Sequence, residues 1–239
     1  MNQTPLRAVV FDLDDTLVSE SAYQDSARLA VLEYLCSKTR LPLNEVLRHS
    51  ILASRAPRTE YFQTLLPRLG LTADNQSVAE LLAVHREHLP TIDWYPDVLP
   101  TLKALRGEGI KLGIITDGYA IAQRQKLAAV EAELLFDAIV VSDDLGRQYW
   151  KPHEKPFRLV AEMLGVRLDE LMYVGDNPAK DFHVSVTLPI TTVKMTRPDS
   201  LKGKLDYLDG VREHFSASTM SDVEKIIDQR IGAHKHAGK

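Results

Sequence analysis

Short apolar, β-branched runs recur along the chain, and each closes on polar residues: 8–11, 112–116, 138–142, 171–174 and 190–193. Between the later runs lie amphipathic stretches of helical length, 99–106, 120–133, 156–164 and 180–186. Strand-like runs alternating with helical ones predict βαβ units, hence a parallel sheet with helices on both faces, a Rossmann-like α/β core. Ligands of such sheets bind beyond the carboxyl ends of the strands, where strand order switches. One interval breaks the alternation. From 19 to 94 only helical periodicity is found: Ala27, Leu29, Val31, Leu32 and Leu35 on one helix, then 46–53, 61–69 and 78–89, punctuated by Pro42, Pro57, Pro67 and Pro90. The pattern predicts a core of residues 1–18 and 95–239 with a separate all-helical domain, 19–94, inserted after the first strand. Residues 197–218 read as a loop-rich excursion, and 222–231 as a final helix.

The remaining bulk properties narrow the function classes. At 239 residues, 44% hydrophobic and 26% charged, the chain has the composition of a globular protein able to bury a sizeable core. A net charge of −4 provides no basic field for nucleic acid or an anionic membrane. The single cysteine, Cys36, excludes an internal disulfide, fits a reducing compartment, and reads as a buried thiol within a helix. The first residues carry no apolar signal core and no segment has the length of a membrane span, so the expectation is a cytoplasmic protein. His234 and His236 fall in a polar tail that reads as a frayed end rather than a metal site.

Chemistry concentrates where the apolar runs end. The run Val9-Val10-Phe11 delivers Asp12, Asp14 and Asp15 within four positions. Carboxylates this close repel, and they ask for a divalent cation, which in turn suggests phosphoryl chemistry; an acidic turn capping the next helix is the plainer reading. The second run ends in Thr116-Asp117-Gly118, a hydroxyl and backbone N–H groups suited to cradling a phosphate, or a common helix cap. Lys151, in Tyr149-Trp150-Lys151-Pro152, could neutralise a phosphate, although most lysines are simply solvated. The fourth cluster, Tyr173-Val174-Gly175-Asp176-Asn177-Pro178-Ala179-Lys180-Asp181-Phe182, adds two carboxylates, one at a strand end and one in the position of a first-turn helix acid.

In this order and on strand ends, the four clusters resemble the haloacid dehalogenase-like hydrolase superfamily, with the helical insert matching its helical, C1-type cap. The connecting text Gln125-Lys126-Leu127, Phe136-Asp137 and Val141-Ser142-Asp143-Asp144 agrees. The resemblance, closest to small-molecule phosphatases, implies the following roles. Asp12 is the nucleophile that forms an aspartyl-phosphate, and Asp14 the general acid and base. Thr116, Asp117, Gly118 and Lys151 bind the phosphoryl group. Mg²⁺ sits between Asp12, the backbone carbonyl of Asp14 and Asp176, and Asp181 orients its surroundings. The expected function is a Mg²⁺-dependent phosphomonoesterase acting on a small phosphorylated metabolite, a sugar phosphate, nucleotide or similar. A phosphomutase or a non-catalytic regulatory module is the alternative. Asp14 speaks against dehalogenation, because a halide leaving group needs no proton.

After the fourth cluster the text 183–189 departs from the small residues and glycine usual in the family. The cap is expected to close over Asp12, with Tyr23, Arg55, Arg58, Tyr61 and Arg86 as candidates for reading the leaving group; two solvated surface arginines are the plainer reading of Arg55 and Arg58. Tyr149 and Trp150 are expected at the pocket rim or in the core. Oligomeric state is not legible.

Overall fold

In the computed structural model residues 4–237 are described, the side chains of Arg58 and of 231–237 excepted. The chain divides into two compact units, Met1–Ser21 with Ile92–Lys239, and Ala22–Thr91. The division falls three residues inside the expected boundaries at either end, within the first turn of α1 (Glu20–Thr39) on the N-terminal side.

The first unit is a six-stranded parallel sheet in the order β3-β2-β1-β4-β5-β6, formed by β1 (Ala8–Phe11), β2 (Lys111–Thr116), β3 (Ala138–Val141), β4 (Leu171–Gly175), β5 (Thr191–Met195) and β6 (Phe215–Ala217). Between the strands run α5 (Val98–Gly107), α6 (Ala120–Ala129) and α7 (Glu154–Leu164), and α8 (Met220–Ala237) follows β6. This is the α/β Rossmann-like fold that the alternation predicts. The central strands read as near-continuous apolar runs because both faces are covered: Val9, Val10, Phe11, Ile114 and Ile115 have no exposure. On one face Phe157, Val160, Ala161 and Leu164 of α7 pack with Val10, Ile115, Val140 and Tyr173. The chain leaves β1 for β2 and β3 on one side, then crosses to β4 on the other. The switch in order therefore falls at β1, and the carboxyl ends of β1, β2 and β4 open on one crevice.

The second unit is all-helical and holds its own core. Val31, Leu32 and Leu35 of α1, Val46 and Ala53 of α2 (Leu43–Ala53), Leu65 and Leu66 of α3 (Tyr61–Arg68) and Leu81 of α4 (Asn75–Glu87) form one buried cluster. Asp74 caps α4, its carboxylate accepting from the Ser77 N–H at 2.8 Å.

Three expectations of secondary structure are corrected. Residues 180–186 do not form an α-helix but a single 3₁₀ turn, His183–Val186. The side chains of Asn177 and Asp181 bond the N–H groups of Ala179 and Asn177 instead, and such local bonds compete with a helix. The excursion 197–218 contains β6, whose three residues are too few to display alternation. The helix expected over 120–133 stops at Ala129, and Glu131 takes a left-handed conformation with φ of 51°. Cys36 is half-buried rather than enclosed, and no described helix is long and apolar enough to cross a membrane.

Candidate active site

Asp12 directly follows β1 and donates its N–H to Val174 O at 2.8 Å, which pins it between β1 and β4. Its side chain is buried, and Oδ1 accepts from Lys151 Nζ at 2.5 Å. Burial pushes the carboxyl up, Lys151 pulls it back, and the net value is about 6. Asp14, two residues on, meets α6: Oδ1 accepts from Lys126 Nζ at 2.6 Å and Oδ2 from Gln123 Nε2 at 3.2 Å. Burial raises this carboxyl too, but the Lys126 ammonium and its hydrogen bond outweigh it, so Asp14 stands below the usual carboxylate range.

Asp15 departs from the expectation that three acids share a cation. It occupies the turn with φ of 54°, and its carboxylate accepts from the N–H groups of Glu20 at 2.9 Å and Leu201 at 2.8 Å. It organises backbone on both sides of the site.

The end of β4 brings the remaining acids. Gly175 is required there by contact rather than by φ: a Cβ would lie 2.5 Å from Asp181 Oδ2 and 2.7 Å from its Cγ. Asp181, with no exposure, accepts from the Asn177 N–H at 2.8 Å and from Tyr173 Oη at 3.2 Å, and lies 2.9 Å from Lys151 Nζ. Lys151 also donates to Tyr173 Oη at 2.7 Å. Burial opposes its charge, yet Asp12 and Asp181 hold it well above the usual lysine value, so it stays an ammonium. Asp176 is raised to about 8, by burial first and then by the carboxylates of Asp12 and Asp181.

Asp12, Asp176 and Asp181 each offer an oxygen within 4.8 Å of the others, all buried. Lys151 takes Oδ1 of Asp12, and Ser200 Oγ donates to Oδ2 of Asp176 at 2.8 Å. Each carboxylate thus has one oxygen engaged by these donors, and the raised values of both acids express a site with too little positive charge. Two buried carboxylates, Asp12 and Asp176, suit Mg²⁺, which takes few carboxylates and keeps several waters.

At the end of β2, Thr116 is buried and its hydroxyl donates to Gln123 Oε1 at 2.9 Å. The Asp117 side chain is committed to structure, accepting from Ser142 Oγ at 2.6 Å, the Lys151 N–H at 3.2 Å and Lys180 Nζ at 2.8 Å. Any part it takes in a phosphate cradle therefore falls to its backbone. Gly118 follows with φ of 137°, a conformation open to glycine. Asp12, Asp14, Thr116, Lys151, Asp176 and Asp181 are thus brought to one crevice.

The selectivity candidates lie in the helical unit. Tyr23 is buried there, its hydroxyl donating to His85 O at 3.2 Å and its ring packed on His85 and His88. Arg55 is exposed in the turn after α2, and the Arg58 side chain is outside the described residues, as are those of His234 and His236. Tyr149 packs edge-on against His153, and Trp150 Nε1 donates to Asp143 Oδ1 at 3.1 Å.

Sequence reasoning gave no role to Gln123, Lys126, Tyr173, Ser200 or Lys202. A signal existed for the first two. In α6 the buried positions are Ala122, Gln123, Lys126 and Leu127, so two polar residues occupy the face that should be apolar. A fully buried lysine is retained only with partners, here Asp14 and Glu20, each at 2.6 Å.

Comparison with known proteins fixes the class. The family model described as haloacid dehalogenase-like hydrolase matches residues 6–182. A glyceraldehyde 3-phosphate phosphatase of Methanopyrus kandleri is 36% identical over 80% of this chain and 84% of its own. A pyrophosphatase, PpaX of Bacillus mycoides, is 26% identical over 94% of this chain and 98% of its own. Among solved structures, a phosphatase of the same superfamily from Thermococcus onnurineus superposes with a TM-score of 0.58 at 25% identity, covering 93% of this chain and 98% of that one. The chain belongs to the haloacid dehalogenase-like hydrolases, and within them to the phosphatases.

Proposed function

We propose that this protein is a Mg²⁺-dependent phosphomonoesterase that hydrolyses a small phosphorylated metabolite through an aspartyl-phosphate on Asp12. The observation that carries the reading is the different company of the two carboxylates of the first cluster. Asp12 is bonded to Lys151 and clusters with the carboxylates of Asp176 and Asp181, while Asp14 is bonded to Lys126 and Gln123 of α6. Two carboxylates in separate environments suit two separate roles.

An oxygen of Asp12 attacks phosphorus as the bond to the leaving oxygen breaks. Lys151, fixed by Asp12, Asp181 and Tyr173, neutralises the non-bridging phosphoryl oxygens, with the Thr116 hydroxyl beside them. Asp14 gives a proton to the leaving oxygen. An arriving phosphate dianion raises the proton affinity of Asp14 by repulsion, which offsets the pull of Lys126. Asp14 then takes a proton from the water that attacks phosphorus and releases Asp12. Asp12, Asp176 and the carbonyl of Asp14 would hold Mg²⁺, which when bound screens the repulsion between the substrate dianion and the nucleophile. The named activities of the relatives, on glyceraldehyde 3-phosphate and on pyrophosphate, support a small phosphorylated substrate.

The test is phosphate release across a panel of phosphorylated metabolites with and without Mg²⁺, with Asp12→Asn as the blank. The expected result is Mg²⁺-dependent release by the wild type and none by the variant. Wild-type rates in Asp12→Asn would overturn the mechanism, and phosphate transferred within the substrate rather than released would identify a mutase.

A further inference from the structure

The loop that leaves β5 is fastened over the ends of β1 and β4. Arg197, buried, donates from Nε and Nη2 to Thr16 O at 3.1 and 3.0 Å and from Nη1 to Asp97 at 2.8 Å. Asp199 accepts from Ser19 Oγ at 2.6 Å and Tyr95 Oη at 2.8 Å. Ser200 Oγ donates to Asp176 and accepts from the N–H groups of Lys202 at 3.3 Å and Gly203 at 2.9 Å. The Leu201 N–H donates to Asp15 at 2.8 Å. The two residues before Lys202 are therefore bonded to Asp176 and Asp15, and Lys202 and Gly203 are held by their N–H groups to the Ser200 hydroxyl.

Lys202 differs from the other lysines near the crevice. Lys151 is paired with Asp12 and Asp181, Lys126 with Asp14 and Glu20, and Lys180 with Asp117. Among the described residues no carboxylate oxygen lies within 4.0 Å of the Lys202 ammonium, although the side chain is partly buried. Burial works against its charge, but Asp14 and Glu20, followed by Asp12 and Asp176, hold its pKa above the usual lysine value, so it remains a cation. A charged group that is ordered by its backbone, surrounded at a distance by acids and bonded to none is available to an incoming anion. The acids acting on it most strongly are Asp14 and Glu20 rather than Asp12. The bond from the Leu201 N–H to Asp15, next to Asp14, sets Lys202 beside the first-cluster turn, and with Asp14 as the proton donor to the leaving oxygen that is the leaving-group side.

We infer that Lys202 forms a second anion subsite beside the phosphoryl site, which takes an acidic group carried by the leaving part of the substrate. This rests on the phosphatase reading above and makes it narrower. The preferred substrates are phosphorylated compounds with a second anionic group close to the ester, as against those whose leaving group is a neutral alcohol. The interaction distinguishes substrates by a charge-assisted contact, which Lys202→Met removes while keeping side-chain length.

Binding separates this from the chemistry. Calorimetry in excess Mg²⁺ compares orthophosphate, which fills the phosphoryl site alone, with methylenediphosphonate, a non-hydrolysable probe that carries a second anionic group. The wild type is expected to bind the diphosphonate more tightly. Lys202→Met should weaken diphosphonate about tenfold and orthophosphate by less than about twofold, with Lys202→Arg restoring most of the difference. Lys202→Gln serves as a second neutral variant should the first fold poorly. Equal loss for both probes would place Lys202 on the phosphoryl group, and no loss for either, or no wild-type preference, would remove it from the site; each result overturns the inference. The underlying phosphatase reading is checked independently by wild-type hydrolysis of p-nitrophenyl phosphate against the Asp12→Asn blank.

Discussion

Lys126 Nζ lies 2.6 Å from Asp14 Oδ1, a contact between a side chain that is 2% exposed and one that is 13% exposed. Its second partner, Glu20 Oε2, is also at 2.6 Å and stands at the start of α1. One ammonium from the face of α6 thus joins the first-cluster turn to the beginning of the helix that follows it. Burial lowers the proton affinity of Lys126, but Asp14 and Glu20 raise it further, so the cation persists across the physiological range.

Replacing Lys126 by Met keeps the length and removes the charge, leaving Asp14 and Glu20 in a poorly solvated position. Breaking a buried pair from one side costs on the order of 3 kcal/mol, and a urea titration should show a loss of that size. The kinetic consequence depends on the leaving group. A displaced Asp14 protonates poorly, and misplacement by an ångström is worth up to about a hundredfold. An alkyl phosphate should therefore lose far more rate than p-nitrophenyl phosphate, whose leaving group needs no proton. Equal losses on both esters would show that Lys126 only supports the fold.

Gly175→Ala tests how tightly the fourth cluster is packed. The added methyl would fall 2.5 Å from Asp181 Oδ2, within a side chain that already bonds the Asn177 N–H, Tyr173 and Lys151. Asp181 must shift, and overpacking of this kind costs about 1–3 kcal/mol. Activity should fall with stability, since Lys151 loses one of its anchors. Gly107→Ala is the contrast: nothing lies within 4 Å of its Cβ position at the end of α5, and the same substitution there should stabilise by about 0.5 kcal/mol. A variant at Gly175 as stable and active as wild type would contradict the close packing described.

The legible parts of this molecule are those where a single residue type has a single use. Asp12 and Asp176 stand at the ends of apolar runs, where a carboxylate needs a chemical reason, and the strands themselves are marked by burial on both faces. Arrangements that depend on distant chain segments were invisible. Asp15 looks like its neighbours in sequence, yet it serves backbone N–H groups of Glu20 and of Leu201, 186 positions away. Ser200 and Lys202 sit in a stretch without periodicity, and only the fold reveals that it returns to Asp176. Residues 180–186 carry helical spacing, but Asn177 and Asp181 use their side chains for local backbone bonds, and Pro189 limits the space in which a helix could recover.

Away from the site, His214 provides an acid-sensitive tie between β5 and the approach to β6. Its Nδ1 accepts from the Thr192 N–H at 3.1 Å and lies 2.9 Å from Thr192 Oγ1, so the ring serves the fold as a neutral acceptor. Burial, and then the Arg230 charge, lower its pKa below 6.5. The unfolded chain therefore binds this proton more readily than the folded one. The contribution is fully present above pH 6.5 and is lost as pH falls through the lower, folded value. Because the ring is only partly enclosed, the loss should be on the order of one hydrogen bond, ~1 kcal/mol. Urea midpoints measured from pH 7.5 down to pH 5 should fall more steeply for wild type than for His214→Asn, whose amide oxygen can accept from Thr192 without titrating. Parallel slopes in the two proteins would mean that the Thr192 tie survives protonation.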